Sequence, residues 1–245
     1  MTPREPIVVF DIETVPDSDH HVTDDMPKVL FHQVVAISYL RANVVDGVDG
    51  RYFALDLLRT GGDVTSSEKD LLAGFWHFIV KSKPRLVTFN GRGFDLPVAK
   101  YRAMKYGIAA PWFAQGESKW ENYSGRYSVD WHCDLMDALA DFGASKASKL
   151  SEICALLGVP SKLGLDGSLV KSYVEAGRLA EVRNYCETDV LATYLVFLRF
   201  ALFRGELTPT GFQASVANLK AHLANERANR PHLGEFADAW VAAAG

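Results

Sequence analysis

The feature that most constrains this chain is a continuous apolar run, Ile7-Val8-Val9-Phe10, that ends in Asp11-Ile12-Glu13. An unbroken, β-branched run of this length predicts a strand buried on both faces, as in the middle of a sheet covered by helices. Residues i and i+2 share one face of a strand. Asp11 and Glu13 therefore stand side by side, with Ile12 turned away. Adjacent carboxylates repel, so the pair needs a cation or a shared proton. Oxygen ligands without cysteine or a fixed histidine favour magnesium or manganese. Taken alone, the pair also fits a solvated strand end. An aspartate-nucleophile phosphatase likewise opens with an apolar strand and paired acids.

The rest of the chain predicts an α/β order. Residues 17–27 are polar and read as a loop. Residues 33–40 and 51–57 are rich in β-branched and aromatic residues and flank Gly47 and Gly50, which predicts a hairpin and hence a mixed sheet. Thr65 or Ser66 can cap a helix over roughly 67–80, with Glu68 and Asp70 in its first turn. A strand over 85–89, a Gly-rich turn and a helix over 95–106 follow. Residues 111–131 show no period, and 132–135 read as a short strand or helix entry. Helices are predicted over 149–157, 168–176 and 178–203, with a final one over 210–229. The boundary Gly205 to Gly211 divides the chain into residues 1–204 and a helical appendage over 205–245.

Composition narrows the function class. Hydrophobic residues at 48% and charged residues at 23% exclude a disordered or coiled-coil chain. A net charge of −4 excludes a basic coat for nucleic acid, although bound divalent cations can supply local positive charge. The best apolar stretch, Leu195 to Phe203, is short and holds Arg199, so no membrane span is expected. Three scattered cysteines (Cys133, Cys154, Cys186) and an N-terminus without a secretory pattern lead us to expect a reduced, cytoplasmic protein.

Two further motifs carry chemistry. Asn90-Gly91-Arg92-Gly93-Phe94-Asp95 follows the predicted strand 85–89, at the strand end where open α/β sheets place their sites. It lacks the Lys-Ser/Thr ending of a phosphate loop. Tyr185-Cys186-Glu187-Thr188-Asp189 lies on a helical stretch, and its Tyr185 and Asp189, spaced i and i+4, share a face. Each alone has an ordinary reading: a helix-start aspartate, and a core tyrosine near a surface acid.

Together, "VVFDIET", "FNGRGFDLP" and "YCETDVLATY" resemble the DEDD superfamily of 3′→5′ exonucleases, in its tyrosine-bearing subgroup. The nearest likeness is to the proofreading exonuclease domain of family-B DNA polymerases, in a stand-alone bacterial branch. The histidine-bearing subgroup places histidine five residues before the last aspartate, where this chain has Asn184. The resemblance covers about residues 7–200. It implies a ribonuclease H-like fold, a mixed five-stranded sheet flanked by helices. It also implies a metal-dependent enzyme that releases 5′-mononucleotides from the 3′ end of single-stranded DNA or RNA. The implied ligands of two divalent cations, Mg2+ or Mn2+, are Asp11, Glu13, Asp95 and Asp189, with Asp11 between ions roughly 3.5–4 Å apart. Tyr185 is implied to orient the attacking water, since an ordinary tyrosine pKa near ~10 does not suit a bulk base. Thr14, Asn90 and Phe94 are the candidate substrate contacts; Phe94 either stacks on a terminal base or packs under the turn, and Thr14 either meets the terminal nucleotide or makes a strand-end hydrogen bond. These residues hold no polymerase sequence, so proofreading is expected only through a partner.

Two rival functions stand beside this reading. A haloacid-dehalogenase-type phosphatase would want an aspartate in place of Glu13 and a late acidic pair. A non-catalytic nucleic-acid-binding module could keep the fold without the chemistry. Other features are read as structural first: the loop of Asp17, Ser18, Asp19, His20, His21, Asp24 and Asp25 as solvated, and Cys186 as a small buried residue. Asp134 reads first as a helix cap, and Lys146, Lys149, Lys162 and Lys171 either line a phosphate path or solvate helices. The aromatics Trp112, Trp120, Tyr123, Tyr127 and Trp131, interleaved with Lys119 and Arg126, fit either a packed flap or a single-strand surface.

Overall fold

The apolar run forms the central strand, and that strand runs on through the acid pair. The fold is taken from a computed structural model that describes residues 4–20, 27–48, 50–161 and 164–243. The strands are β1 (Ile7–Pro16), β2 (His32–Gly47), β3 (Gly50–Thr60), β4 (Arg85–Thr88) and β5 (His132–Asp134), in the order β3-β2-β1-β4-β5. β1–β2 and β2–β3 pair antiparallel, whereas β1–β4 and β4–β5 pair parallel. The early hairpin thus makes the sheet mixed. Its strands are longer than their hydrophobic pattern predicted, and they close at Gly47 opposite Gly50, whose φ of 117° suits glycine.

Alternation along β1 divides two cores. Val8, Phe10 and Ile12 face α1 (Glu68–Ser82), which buries Leu71, Leu72, Phe75, Trp76 and Ile79 against them. Ile7 and Val9 face α7 (Leu179–Phe203), with Val190, Leu191, Tyr194 and Leu195 in the same cluster. The cap of α1 is Ser67, one or two residues beyond the predicted position, because its hydroxyl is the one that accepts the Asp70 N–H. α2 (Asp95–Lys105) and α3 (Pro111–Gln115) complete the first face. α4 (Leu135–Leu139), α5 (Leu150–Leu157) and α6 (Val170–Glu175) lead to α7.

The C-terminal region holds two helices where the sequence suggested one. α8 spans Pro209–Glu226 and α9 spans Pro231–Ala243. The break has a plain cause: a proline opens helices well and disfavours helical backbone in the residue before it. α8 lies against the sheet edge. Ser215 Oγ accepts the Phe53 N–H at 2.9 Å and Asn218 Oδ1 accepts the Leu55 N–H at 2.7 Å, so side chains satisfy donors of edge strand β3. The approach is close: a Cβ on Gly211 would sit 2.0 Å from the Arg51 carbonyl oxygen. Leu219, Leu223, Leu233 and Phe236 join the α7 core. Among the described residues no helix is long and apolar enough to cross a membrane.

Candidate active site

Three segments distant in sequence meet at the C-terminal end of β1. The first is β1 itself, where Asp11 and Glu13 are partly accessible and Ile12 is buried on the other face. A bulge between Glu13 and Thr14 then shifts the pairing with β2.

The second segment is the turn after β4. Asn90 takes a left-handed φ of 64°, and a Cβ on Gly91 would lie 2.4 Å from Thr88 Oγ1. Asp134 fixes the path. Its Oδ1 accepts the Asn90 N–H at 2.9 Å and its Oδ2 accepts the Arg92 N–H at 2.8 Å. The same carboxylate caps α4, as the sequence suggested. The turn delivers buried Asp95 as the first residue of α2, and Asp95 Oδ1 accepts the Ile12 N–H at 3.1 Å. The second motif is therefore bonded to the backbone between the two acids of the first.

The third segment is α7. Cys186 is fully buried, and its thiol lies 3.4 Å from the Asp11 carbonyl oxygen and 3.5 Å from Asp11 Oδ2. One ligand atom each from Asp11, Glu13 and Cys186 falls within 4.8 Å of the others. Asp189, Glu13 and Asp11 all act electrostatically on the Tyr185 hydroxyl.

The electrostatics follow from this convergence. Burial first, then the charges of Asp95, Glu13 and Asp189, push the Asp11 carboxyl well above the usual range, against a small opposing pull from the Cys186 thiol. Glu13 is raised by burial, then by Asp189 and Asp95. Burial raises Asp95 to about 7, although the N–H groups of its own residue and of Ile12 favour its charged form. Tyr185 is raised by burial, then by Asp189 and Glu13, so its hydroxyl keeps its proton at neutral pH. Asp11 and Glu13, each made costly to ionise by burial and by the acids around it, offer a hard divalent cation the oxygen ligands and negative charge it favours.

Two of the candidate substrate contacts, Thr14 and Phe94, meet at His32. Thr14 Oγ1 bonds His32 Nδ1 at 2.8 Å, and the edge of the His32 ring meets half-buried Phe94 at a centroid distance of 4.9 Å. Thr14 thus makes the strand-end hydrogen bond that was one of its two readings. Nothing in the sequence marked His32, which reaches Thr14 only because β2 returns antiparallel.

Other expectations change. Asp17 is not solvated: it is buried, with its carboxylate on Arg102 and Lys105, while Arg102 also pairs with buried Glu68. Burial alone would raise the Asp17 carboxyl, but the hydrogen bonds from Arg102, His20 and Lys105 override it and hold the group well below its usual range. His21, Asp24, Asp25 and Lys162 lie outside the described residues. Trp112, Tyr123 and Trp131 pack together, with the Arg4 guanidinium over both tryptophans, whereas Trp120 and Tyr127 are exposed. Lys146, Lys149 and Lys171 are exposed, as expected.

The chain is similar to known proteins. Residues 24–240 match the family described as predicted 3′-5′ exonuclease related to the exonuclease domain of PolB. The Asp11–Glu13 pair precedes that match. A DNA polymerase from Pyrococcus glycovorans is 24% identical over 209 residues, which is 82% of this chain and 26% of the polymerase. The structure of a family B DNA polymerase from Pyrobaculum calidifontis superposes with a TM-score of 0.53 at 21% identity, over 93% of this chain and 30% of the polymerase. Product-bound exonuclease I gives a TM-score of 0.37 at 14% identity, over 80% of this chain and 47% of that one. The chain thus spans between a quarter and a third of the polymerases it matches. Its fold is ribonuclease H-like, a mixed five-stranded sheet with flanking helices. With most of its length inside the matched region, the chain belongs to the family of predicted 3′-5′ exonucleases related to the exonuclease domain of PolB.

Proposed function

We propose that this chain is a metal-dependent exonuclease that hydrolyses phosphodiester bonds from the 3′ end of single-stranded DNA or RNA and releases 5′-mononucleotides. The observation that carries the reading is the convergence of β1, the start of α2 and the middle of α7 on one cluster of mutually repelling carboxylates beside Tyr185. Residues 1–204 would be the exonuclease domain and 205–245 its helical appendage, a division supported by the contacts of α8 and α9 with β3 and α7.

Asp11, Glu13, Asp95 and Asp189 are the residues that would hold two divalent cations, Mg2+ or Mn2+. Such ions, when bound, offset the negative charge that gathers on the attacked phosphodiester and make water a better nucleophile. The chain's own groups do the positioning. Asp95 is clamped by the Ile12 N–H, so its carboxylate is held in one orientation before substrate arrives. The Cys186 thiol steadies Asp11 in the same way. Tyr185, protonated beside Asp189, presents a hydroxyl that orients the attacking water and does not remove its proton. Asn90, Thr14 and Phe94 receive the terminal nucleotide, with the Phe94 ring stacking on its base.

Digestion of a 5′-labelled oligonucleotide tests the reading. Wild-type protein with Mg2+ or Mn2+ should shorten it stepwise from the 3′ end, and chelation should stop the reaction. Asp11→Asn and Asp189→Asn should each lower the rate by about 10³-fold or more while the far-ultraviolet spectrum stays native. Full activity in either variant refutes the assignment.

A further inference from the structure

A cavity lies beside the turn that delivers Asp95. It holds about 450 Å³, within the range of small-molecule pockets. Asn90 and Gly93 of the turn form one wall, and Lys100 of α2 and Arg126 of the segment 111–131 stand on others. The turn thus borders this cavity and, through Asp95, also reaches the backbone between Asp11 and Glu13.

The cavity is preformed. Arg92 donates to the carbonyls of Tyr123, Gly125 and His132, which fastens the segment 111–131 to the turn. Phe113 and Tyr123, stacked with ring centroids 4.7 Å apart, make an apolar lining. The Tyr123 hydroxyl is fixed on the Pro84 carbonyl.

Its charge runs against that of the whole chain. Net charge is −4, yet the lining carries Arg92, Lys100 and Arg126 against Asp134 and Asp137. Both oxygens of Asp134 are already occupied by backbone N–H groups. Lys100 is exposed and makes no hydrogen bond or ion pair among the described residues. Arg126 is more than half exposed, and its ion pair with Asp137 spans 3.2 Å at the surface. Two cations at the mouth of a cavity with an apolar lining suit an anionic group joined to a flat ring.

We propose that this cavity binds a nucleotide upstream of the 3′ end on the same substrate strand, with Lys100 and Arg126 on its phosphate. The inference rests on the exonuclease reading. It gives the substrate strand a direction: past Arg126 and Lys100, over Asn90 and Gly93, to the carboxylates. It also makes Lys100 and Arg126 determinants of substrate length and salt response, since exposed cations on phosphates release counter-ions and read no sequence.

Fluorescence anisotropy with 5′-fluorescein oligothymidylates of two, four and eight nucleotides, in EDTA, tests it without turnover. Lys100→Ala and Arg126→Ala should each weaken binding of the longest strand about tenfold and of the dinucleotide by less than about twofold. Each should also flatten the slope of log Kd against log salt by about 0.7. Lys100→Arg should restore the wild-type length dependence. A loss equal at all lengths, or no loss at the longest, overturns the proposal. Digestion with Mn2+ separates the two readings. Wild-type protein that binds with the expected length dependence yet never shortens the strand refutes the exonuclease reading and leaves the cavity assignment standing. Digestion by wild type that Lys100→Ala and Arg126→Ala leave unchanged at every length refutes the cavity alone.

Discussion

Replacing Asp95 by asparagine should stabilise the metal-free protein while abolishing its chemistry. Asp95 is 4% exposed, and its carboxyl is raised to about 7, chiefly by burial. In an unfolded chain the same group titrates near ~3.9. The folded state therefore holds its proton more tightly, and stability falls as pH rises between the two values. Below pH ~4 the carboxyl is neutral in both states and costs nothing. Above pH ~7 it is ionised in both, and the fold bears the full difference, about 4 kcal/mol at ~1.4 kcal/mol per pH unit. Relaxation and counter-ions reduce this, so about 2 kcal/mol is expected. Asparagine keeps an oxygen for the Ile12 N–H, so the substitution removes the charge and preserves the hydrogen bond. For a chain of this size the gain corresponds to about 4–8 °C in melting temperature. Thermal unfolding in EDTA at pH 5 and pH 8.5 measures it. The Asp95→Asn protein should melt above wild type at pH 8.5, with the gap shrinking at pH 5. Added Mg2+ should raise the wild type more than the variant. A variant that melts at or below wild type at pH 8.5 in EDTA, or a gap independent of pH, would refute the electrostatic argument.

Two other substitutions probe different parts of the same logic. Tyr185→Phe removes a hydroxyl but no charge, so kcat should fall about 10–100-fold with KM within about threefold; an unchanged kcat removes the water-orienting role. Arg102→Met strands the buried carboxylates of Glu68 and Asp17 and should cost about 3–5 kcal/mol at neutral pH, read by urea unfolding. Paired Asp17 has a lowered pKa, so its share of that stability is present above the unfolded value and lost as pH falls through the folded one. The deficit of the variant should therefore narrow below pH ~4, and a deficit that persists unchanged there argues against the ion network.

What the sequence disclosed and what it hid divide along a physical line. The acid pair, the turn aspartate and the i, i+4 pair of α7 were legible because strand and helix periods fix which side chains share a face. Their convergence was legible only through the resemblance, since no local rule brings residue 11 within 3.5 Å of residue 186. The roles of His32 and Asp17 were hidden for the same reason. Asp17 sits in a polar stretch that reads as solvated, and its partners Arg102 and Lys105 arrive from the last turn of α2. Pro231 was visible in the string, but the helical pattern before it concealed that a second helix starts there and folds back.

That second helix bears on the site. Glu187 lies between Tyr185 and Asp189 in sequence but on a different face of α7, where it is buried and accepts from Thr60, Arg230 and His232. Arg230 also donates to the Leu58 carbonyl of β3. One carboxylate therefore ties the end of β3 and the start of α9 to the helical turn that carries Tyr185. A helix is stiff along its axis but free to rotate and slide unless something outside its own hydrogen bonds fixes it. The apolar surface of α7 sets its depth in the core, yet such contacts are non-directional and tolerate small slips. The hydrogen bonds of Glu187 do not, because each has a required direction. The C-terminal region thus supplies a directional constraint on the turn of α7 that carries Tyr185.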